Sequence, residues 1–171
     1  MRLAGAGTPG FAVSGGNVPH GDAGPTSDGP AAANTSPESP ERASLRVPRI
    51  LVVDDEPAIR RFVADSLRGA GYEVMTAASG RDALAIVYED NGTPALLVTD
   101  IEMPAMTGVE LAARVRADRP AIRVVLMTGR EASAARARER EGLVEGVLLK
   151  PFGLAELLDA VFEAIGAPAG T

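Results

Sequence analysis

Four short apolar runs, each halted by a polar side chain, constrain this chain more than any other feature it carries. Leu96-Leu97-Val98-Thr99 stops on Asp100, and Arg49-Ile50-Leu51-Val52-Val53 stops on Asp54-Asp55. Ile122-Arg123-Val124-Val125-Leu126-Met127 stops on Thr128, and Val147-Leu148-Leu149 stops on Lys150. Runs of this length, with Val, Ile and Thr in them, fit strands buried on both faces. Each polar residue then sits at the carboxyl end of a strand, where open α/β sheets place their ligand sites. In a parallel sheet with these strands adjacent, three carboxylates, a hydroxyl and an ammonium converge on one edge.

Between the runs the apolar spacing becomes helical. Strand one spans 49–54. Pro57 suits the first turn of a helix whose stripe is Ile59, Phe62, Val63 and Leu67, with Arg60, Arg61, Asp65 and Arg68 facing water. Strand two spans 72–76. Ser79 with Asp82 marks the next helix start, and Ala83, Leu84, Ile86 and Val87 form its stripe. Strand three spans 95–99. Thr107-Gly108-Val109-Glu110 is a capping box, opening a helix with Leu111 and Val115 inward. Strand four spans 122–127. Residues 131–141 are rich in Ala, Arg and Glu but have almost no apolar stripe, so that helix is expected to be thinly buried. Strand five spans 146–149. The last helix, 154–165, uses Leu154, Leu157, Leu158, Val161, Phe162 and Ile165. Five strand–helix units from Arg49 to Ala167 predict an α/β domain: a parallel sheet with helices on both faces.

Residues 1–48 have a different texture. They hold seven of the 13 prolines and eight of the 19 glycines, with no strand or helix period. Such a segment buries too little apolar area to offset its ordering entropy, so a disordered extension is expected there. Residues 168–171 are read as a short tail, and no effector region is expected after the fifth helix.

Composition removes several functions. The chain has no cysteine, which excludes thiolate catalysis and zinc–thiolate sites. Its one histidine, His20, lies in the Gly/Pro-rich extension and reads as a solvated tail residue. A net charge of -6 argues against nucleic-acid binding, which needs clustered Lys and Arg. No apolar run approaches the roughly 20 residues of a membrane span, and no leader follows Arg2, so a cytoplasmic location is expected.

The chemistry rests on Asp54, Asp55 and Asp100. Carboxylates about 4 Å apart repel by about 4 kcal/mol per pair at an effective dielectric near 20, so something must neutralise them. Mg²⁺ is the natural candidate, a hard cation that takes one or two carboxylates, waters and a phosphate oxygen. Lys150 adds positive charge. One carboxylate is then placed to attack a phosphoryl group, with the cation and Lys150 stabilising the transferring oxygens. Thr128 offers a hydroxyl to the product, and Gly129 leaves room for it. Singly, each residue has a plainer role: a helix cap for Asp54 or Asp55, a loop carboxylate for Asp100, a strand-end cap for Thr128, a surface lysine for Lys150. Their common position at strand ends is what distinguishes them.

On these residues the sequence resembles the receiver domain of bacterial two-component response regulators, of the chemotaxis-regulator type. The matching pieces are Val53-Asp54-Asp55-Glu56, Val98-Thr99-Asp100-Ile101-Glu102-Met103-Pro104 with Gly108, Met127-Thr128-Gly129, and Lys150-Pro151-Phe152. The resemblance implies a flavodoxin-like three-layer α/β/α fold with strand order 2-1-3-4-5. It implies that Asp100 accepts a phosphoryl group from a histidine kinase or histidine phosphotransferase. Asp55 and Asp100 would ligate Mg²⁺, Asp54 would assist directly or through water, and the backbone carbonyl of Glu102 would complete the protein ligands. Lys150 would contact the phosphoryl group, Thr128 would move to bond it, and Lys150-Pro151 would be a cis bond. The family's switch aromatic, three positions before the lysine, is replaced here by Val147. Valine cannot swing as an aromatic ring does, so any signal is expected to pass through the loop after Thr128 and the 131–141 helix. Glu102 and Arg130, each two residues past a site residue at the mouth of the pocket, either pair and screen the phosphoryl group from water, which would tune its lifetime, or stand as two solvated charges.

The leading expectation is a stand-alone phosphoacceptor, a monomer or weak dimer, that signals to a downstream protein. A phosphorylation-independent protein-binding module with the same fold is the alternative. A phosphohydrolase is a third reading. It is disfavoured because Glu102 stands where such enzymes place a second Asp, so only Mg²⁺-dependent self-phosphorylation and self-dephosphorylation are expected.

Overall fold

A computed structural model describes residues 47–89, 93–140 and 142–168. They belong to the compact unit Glu38–Thr171. The extension expected over residues 1–48 falls outside the described residues up to 46, as do 169–171 of the expected tail. Asn91, Gly92 and Glu141 lie outside them too.

The elements run β1 (Arg49–Val53), α1 (Pro57–Gly69), β2 (Glu73–Ala77), α2 (Gly80–Tyr88), β3 (Leu96–Asp100), α3 (Gly108–Asp118), β4 (Arg123–Thr128), α4 (Glu131–Arg138), β5 (Gly146–Leu149) and α5 (Leu154–Ile165). The five strands form one sheet in the order β2-β1-β3-β4-β5, every neighbouring pair parallel. This is the flavodoxin-like order. Parallel pairing needs a crossover, and α1 to α4 each supply one, while α5 follows the last strand.

Burial explains why the central strands read as unbroken apolar runs. Ile50, Leu51, Val52 and Val53 are all 0% exposed, because alternate side chains enter different layers. Ile50 and Val52 share one cluster with Leu96, Val98, Val125 and Met127, covered by Val63 and Leu67 of α1 and by Leu157 and Val161 of α5. Leu51 and Val53 share the other with Leu97, Val124 and Leu126, covered by Ala83 and Val87 of α2, Leu111 and Val115 of α3, and Ala137 of α4.

The helix starts follow their local chemistry. Ser79 accepts the Asp82 N–H at 3.1 Å. In the Thr107–Glu110 box, Thr107 Oγ1 accepts the Glu110 N–H at 3.2 Å, while the Glu110 carboxylate accepts the Thr107 N–H at 2.9 Å.

Several boundaries differ from expectation. β1 ends at Val53 rather than Asp54, and β2, β3 and β4 each lie one residue later than expected, so Asp100 and Thr128 close their strands rather than follow them. The ladders set these ends: Asp100 pairs with Met127, and Thr128 with Leu149. α4 stops at Arg138, short of 141. Phe62, Leu154 and Phe162, assigned to inward stripes, are 44%, 51% and 59% exposed. They sit at the margins of stripes whose centres, Val63, Leu67, Leu157 and Val161, already cover the sheet. Phe62 meets Phe152 instead, with ring centroids 6.5 Å apart. Arg60 turns from water and donates to the Asp54 carbonyl.

Candidate functional site: an acidic cavity at the carboxyl edge of the sheet

Strand register assembles the site. Val53 pairs with Thr99, so the next residues, Asp54 and Asp100, stand side by side. Thr128 pairs with Leu149, which brings Lys150 to the same edge. Asp54, Asp55, Glu56, Asp100, Glu102, Gly129, Arg130 and Lys150 line one open cavity of about 420 Å³.

Lys150 is its electrostatic centre. Its ammonium lies 2.8 Å from Asp54 Oδ2 and 2.6 Å from Asp100 Oδ1. Asp54 is 1% exposed and Asp100 4%. The second Asp54 oxygen, Oδ1, accepts the Glu56 N–H at 2.8 Å, a turn that ties the carboxylate to the entry of α1. Asp100 Oδ2 accepts no hydrogen bond among the described residues, where no buried side-chain oxygen lacks a partner, so this oxygen is open to the cavity that Asp100 lines. Thr99 donates to the Asp100 carbonyl at 3.1 Å and helps fix the strand end.

Both members of the Lys150–Asp100 pair have raised pKa values. Burial pushes Asp100 up, and it outweighs the hydrogen bond and charge of Lys150; Asp54 and Glu102 push the same way. For Lys150, burial alone would lower the value, but the hydrogen bonds and charges of Asp100 and Asp54 together raise it. One ammonium shared by two buried carboxylates leaves the pocket net negative, which adds to burial at Asp100 and overcomes it at Lys150.

The three aspartates are not equivalent. Asp55 is exposed, whereas Asp54 and Asp100 are buried. Among the described residues no three acidic side chains form a ready-made metal cage. Lys150 supplies part of the neutralisation expected for the carboxylates, the part expected of it beside a cation. The donors still suit Mg²⁺, which needs only one or two carboxylates beside waters and a phosphate oxygen. Asp55 and Asp100 would provide those carboxylates, with the Glu102 carbonyl as a further oxygen. Asp54, with both oxygens engaged, is left to act through water.

Thr128 is fully buried, and its hydroxyl donates to the Glu102 carboxylate, 2.8 Å to Oε2 and 3.1 Å to Oε1. The Arg130 N–H donates back to Thr128 Oγ1 at 3.0 Å. The Glu102–Arg130 ion pair is therefore not the arrangement found. β3 and β4 are neighbours, so the carboxylate two residues past Asp100 reaches the end of β4 directly. A Cβ on Gly129 would meet nothing within 4 Å, so the backbone leaves open space there. Val147 is half-buried and packs against the cluster under α4. The Lys150–Pro151 bond is cis.

Gly108, part of the matched motif, has a steric reason to be glycine. A Cβ at Gly108 would lie 2.0 Å from the Asp100 carbonyl oxygen, so α3 starts hard against the backbone of the central aspartate. Glu56 went unassigned, although the spacing Asp54-x-Glu56 ahead of a proline signals an Asx turn. A second hollow, about 350 Å³ between α3 and α4, is walled by Ile101, Val109, Ala113 and Ala137 and gathers no carboxylate cluster.

Known proteins share the sequence and the fold of this domain. The family model of the response regulator receiver domain matches residues 50–162. The transcriptional regulatory protein TcrA of Mycobacterium tuberculosis is 40% identical over 120 residues, covering 69% of this chain and 47% of TcrA. Response regulator MprA of Mycolicibacterium vanbaalenii is 36% identical over 110 residues, covering 64% of this chain and 47% of MprA. The chain thus spans about half the length of these curated relatives. Among solved structures, Thermotoga maritima TrrA in complex with Mg²⁺–BeF superposes with a TM-score of 0.61 at 32% identity, over 69% of this chain and 99% of that one. Chemotaxis response regulator CheY4 of Vibrio cholerae gives 0.62 at 33%, over 70% and 99%. Sheet order, matched span and identity agree: the chain belongs to the response regulator receiver domain family.

Proposed function

We propose that this chain is a phosphoacceptor. Asp100 takes a phosphoryl group from a histidine kinase or histidine phosphotransferase, and the phosphorylated domain signals by binding another protein. The observation that carries this reading is the Lys150 ammonium, held on Asp100 Oδ1 and Asp54 Oδ2 while Asp100 Oδ2 faces the cavity. In the transfer, an Asp100 oxygen attacks the phosphorus of a phosphohistidine. The O–P bond forms as the P–N bond breaks, and the imidazole nitrogen keeps the electron pair. Lys150 moves from the carboxylate to the transferring oxygens, whose charge it offsets. Bound Mg²⁺ would neutralise the remaining negative charge between carboxylates and phosphoryl group. Asp55, Asp100 and the Glu102 carbonyl would hold it, with Asp54 behind them. Glu102 and Arg130, at the cavity mouth, would govern how readily water reaches the phosphoryl group. The reading places the chain in the cytoplasm, with its donor.

Intact mass after incubation with acetyl phosphate and Mg²⁺ tests this. The native chain gains one phosphoryl group and Asp100→Asn gains none. Equal masses for treated and untreated native chain would sink the proposal.

Val147 favours one second reading, a protein-binding module that works without phosphate. Partner binding by native chain and Asp100→Asn, with and without acetyl phosphate, separates the two. Dependence on both donor and Asp100 supports the phosphoacceptor; indifference to both supports the module.

A further inference from the structure

The Thr128 hydroxyl has a single proton; its nearest acceptor is Glu102 Oε2 at 2.8 Å, with the Arg130 carbonyl farther off at 3.4 Å. Thr128 is fully buried at the end of β4, so its hydroxyl is held out of water, while the Glu102 carboxylate that accepts from it is part-buried. Glu102 also lines the cavity that holds Asp100, and its charge is felt there. A phosphoryl group on Asp100 would therefore repel Glu102 and offer Thr128 a stronger acceptor. Arg130 lines the same cavity, and among the described residues its guanidinium makes no ion pair with Glu102. It stands immediately before α4, as an N-cap without a side-chain cap bond.

We infer that Glu102 is a built-in competitor for Thr128, and that phosphorylation drives an exchange of partners. Before phosphorylation, Glu102 holds the hydroxyl away from Asp100. Afterwards Thr128 donates to the phosphoryl group and the released Glu102 carboxylate pairs with Arg130. The exchange reaches α4 by two routes. The Arg130 N–H follows the hydroxyl oxygen it is bonded to, and the Arg130 side chain follows Glu102. α4 resists little, since its buried residues are Ala134 and Ala137. The device thus supplies a path to the protein surface in a chain with Val147 at the switch-aromatic position. It rests on the proposed reading of Asp100 as the phosphoacceptor and makes Glu102 a positioning residue for Thr128.

The test is a double-mutant cycle read by binding of beryllofluoride with Mg²⁺. Native chain, Glu102→Ala, Thr128→Ala and the double variant are each titrated. Removing the Glu102 charge tightens binding by the same factor in both Thr128 backgrounds, so that contribution cancels. The competitor adds a coupling: Thr128→Ala weakens binding about ten-fold more in the Glu102→Ala background than in the native one, as expected for a hydrogen bond to a charged group. Equal cost in both backgrounds overturns the inference while leaving the phosphoacceptor reading intact. A native chain that binds no beryllofluoride overturns both. Should a variant fail to fold, a structure of the native complex decides alone. Glu102 on Arg130 is the expected result, and Glu102 still on Thr128 contradicts it.

Discussion

The two ends of the sheet edge are built differently. On one side, Asp54 and Asp100 extend from β1 and β3, whose residues from Ile50 to Val53 and from Leu96 to Asp100 are all buried. On the other, β4 leads into α4, which buries two alanines, and β5 is only partly buried. Filled strands hold the acidic residues at fixed separation. The neighbouring helix has little apolar area to hold it. A phosphorylation switch needs both, a rigid place where the group arrives and a loosely held element that reports the arrival.

The difference can be broken or sharpened by mutation. Leu97→Ala, in the core under the acidic side, should cost about 4 kcal/mol in urea unfolding. A cost under about 1 kcal/mol would mean that this side is not the rigid one. Lys150→Met strands two buried carboxylates. With four-fifths of its side chain out of water, its loss should cost about 3 kcal/mol, at the lower end for a broken buried pair. No loss would show that the pocket is well solvated. Gly108→Ala forces α3 away from Asp100 and should cost about 2 kcal/mol, with slower uptake of phosphoryl from acetyl phosphate. Ala134→Gly, in α4, should cost only about 1 kcal/mol, and α4 amides should exchange faster than those of β3. Equal protection of α4 and β3 would erase the contrast.

The smallest effect is a pH dependence at α3. The Glu110 carboxyl is held below its usual range, first by the Thr107 N–H and then by the Thr107 hydroxyl. A depressed carboxyl stabilises the fold fully above its ordinary value, and the contribution is lost as pH falls through the lowered one. After correction for intrinsic rates, amide exchange in the first turn of α3 should rise on acidification. In Glu110→Gln that rise should be absent.

Much of this was legible in the residues because buried parallel strands have a strong signature. Ile50–Val53 and Leu96–Val98 could hardly be anything else, and the polar residues that end the runs marked the site edge. Strand ends were less legible. Whether Asp100 closes β3 or follows it depends on pairing with Met127 of another strand. Side-chain partners were less legible still. Glu102 was expected either on Arg130 or in water, but β3–β4 adjacency delivers its carboxylate to the Thr128 hydroxyl. Three carboxylates suggested a metal and Lys150 together as the neutralising charge. In the fold only two of them are buried, and Lys150 reaches both. Phe62, Leu154 and Phe162 follow a helical period, yet each helix needs only its central residues to cover the sheet.

The measurement closest to the central claim is borohydride trapping. Reduction of an aspartyl phosphate converts that residue to homoserine, which peptide mapping locates. After acetyl phosphate and Mg²⁺, the account predicts homoserine at position 100 of the native chain and at no other. Homoserine elsewhere, or none at all, would contradict it.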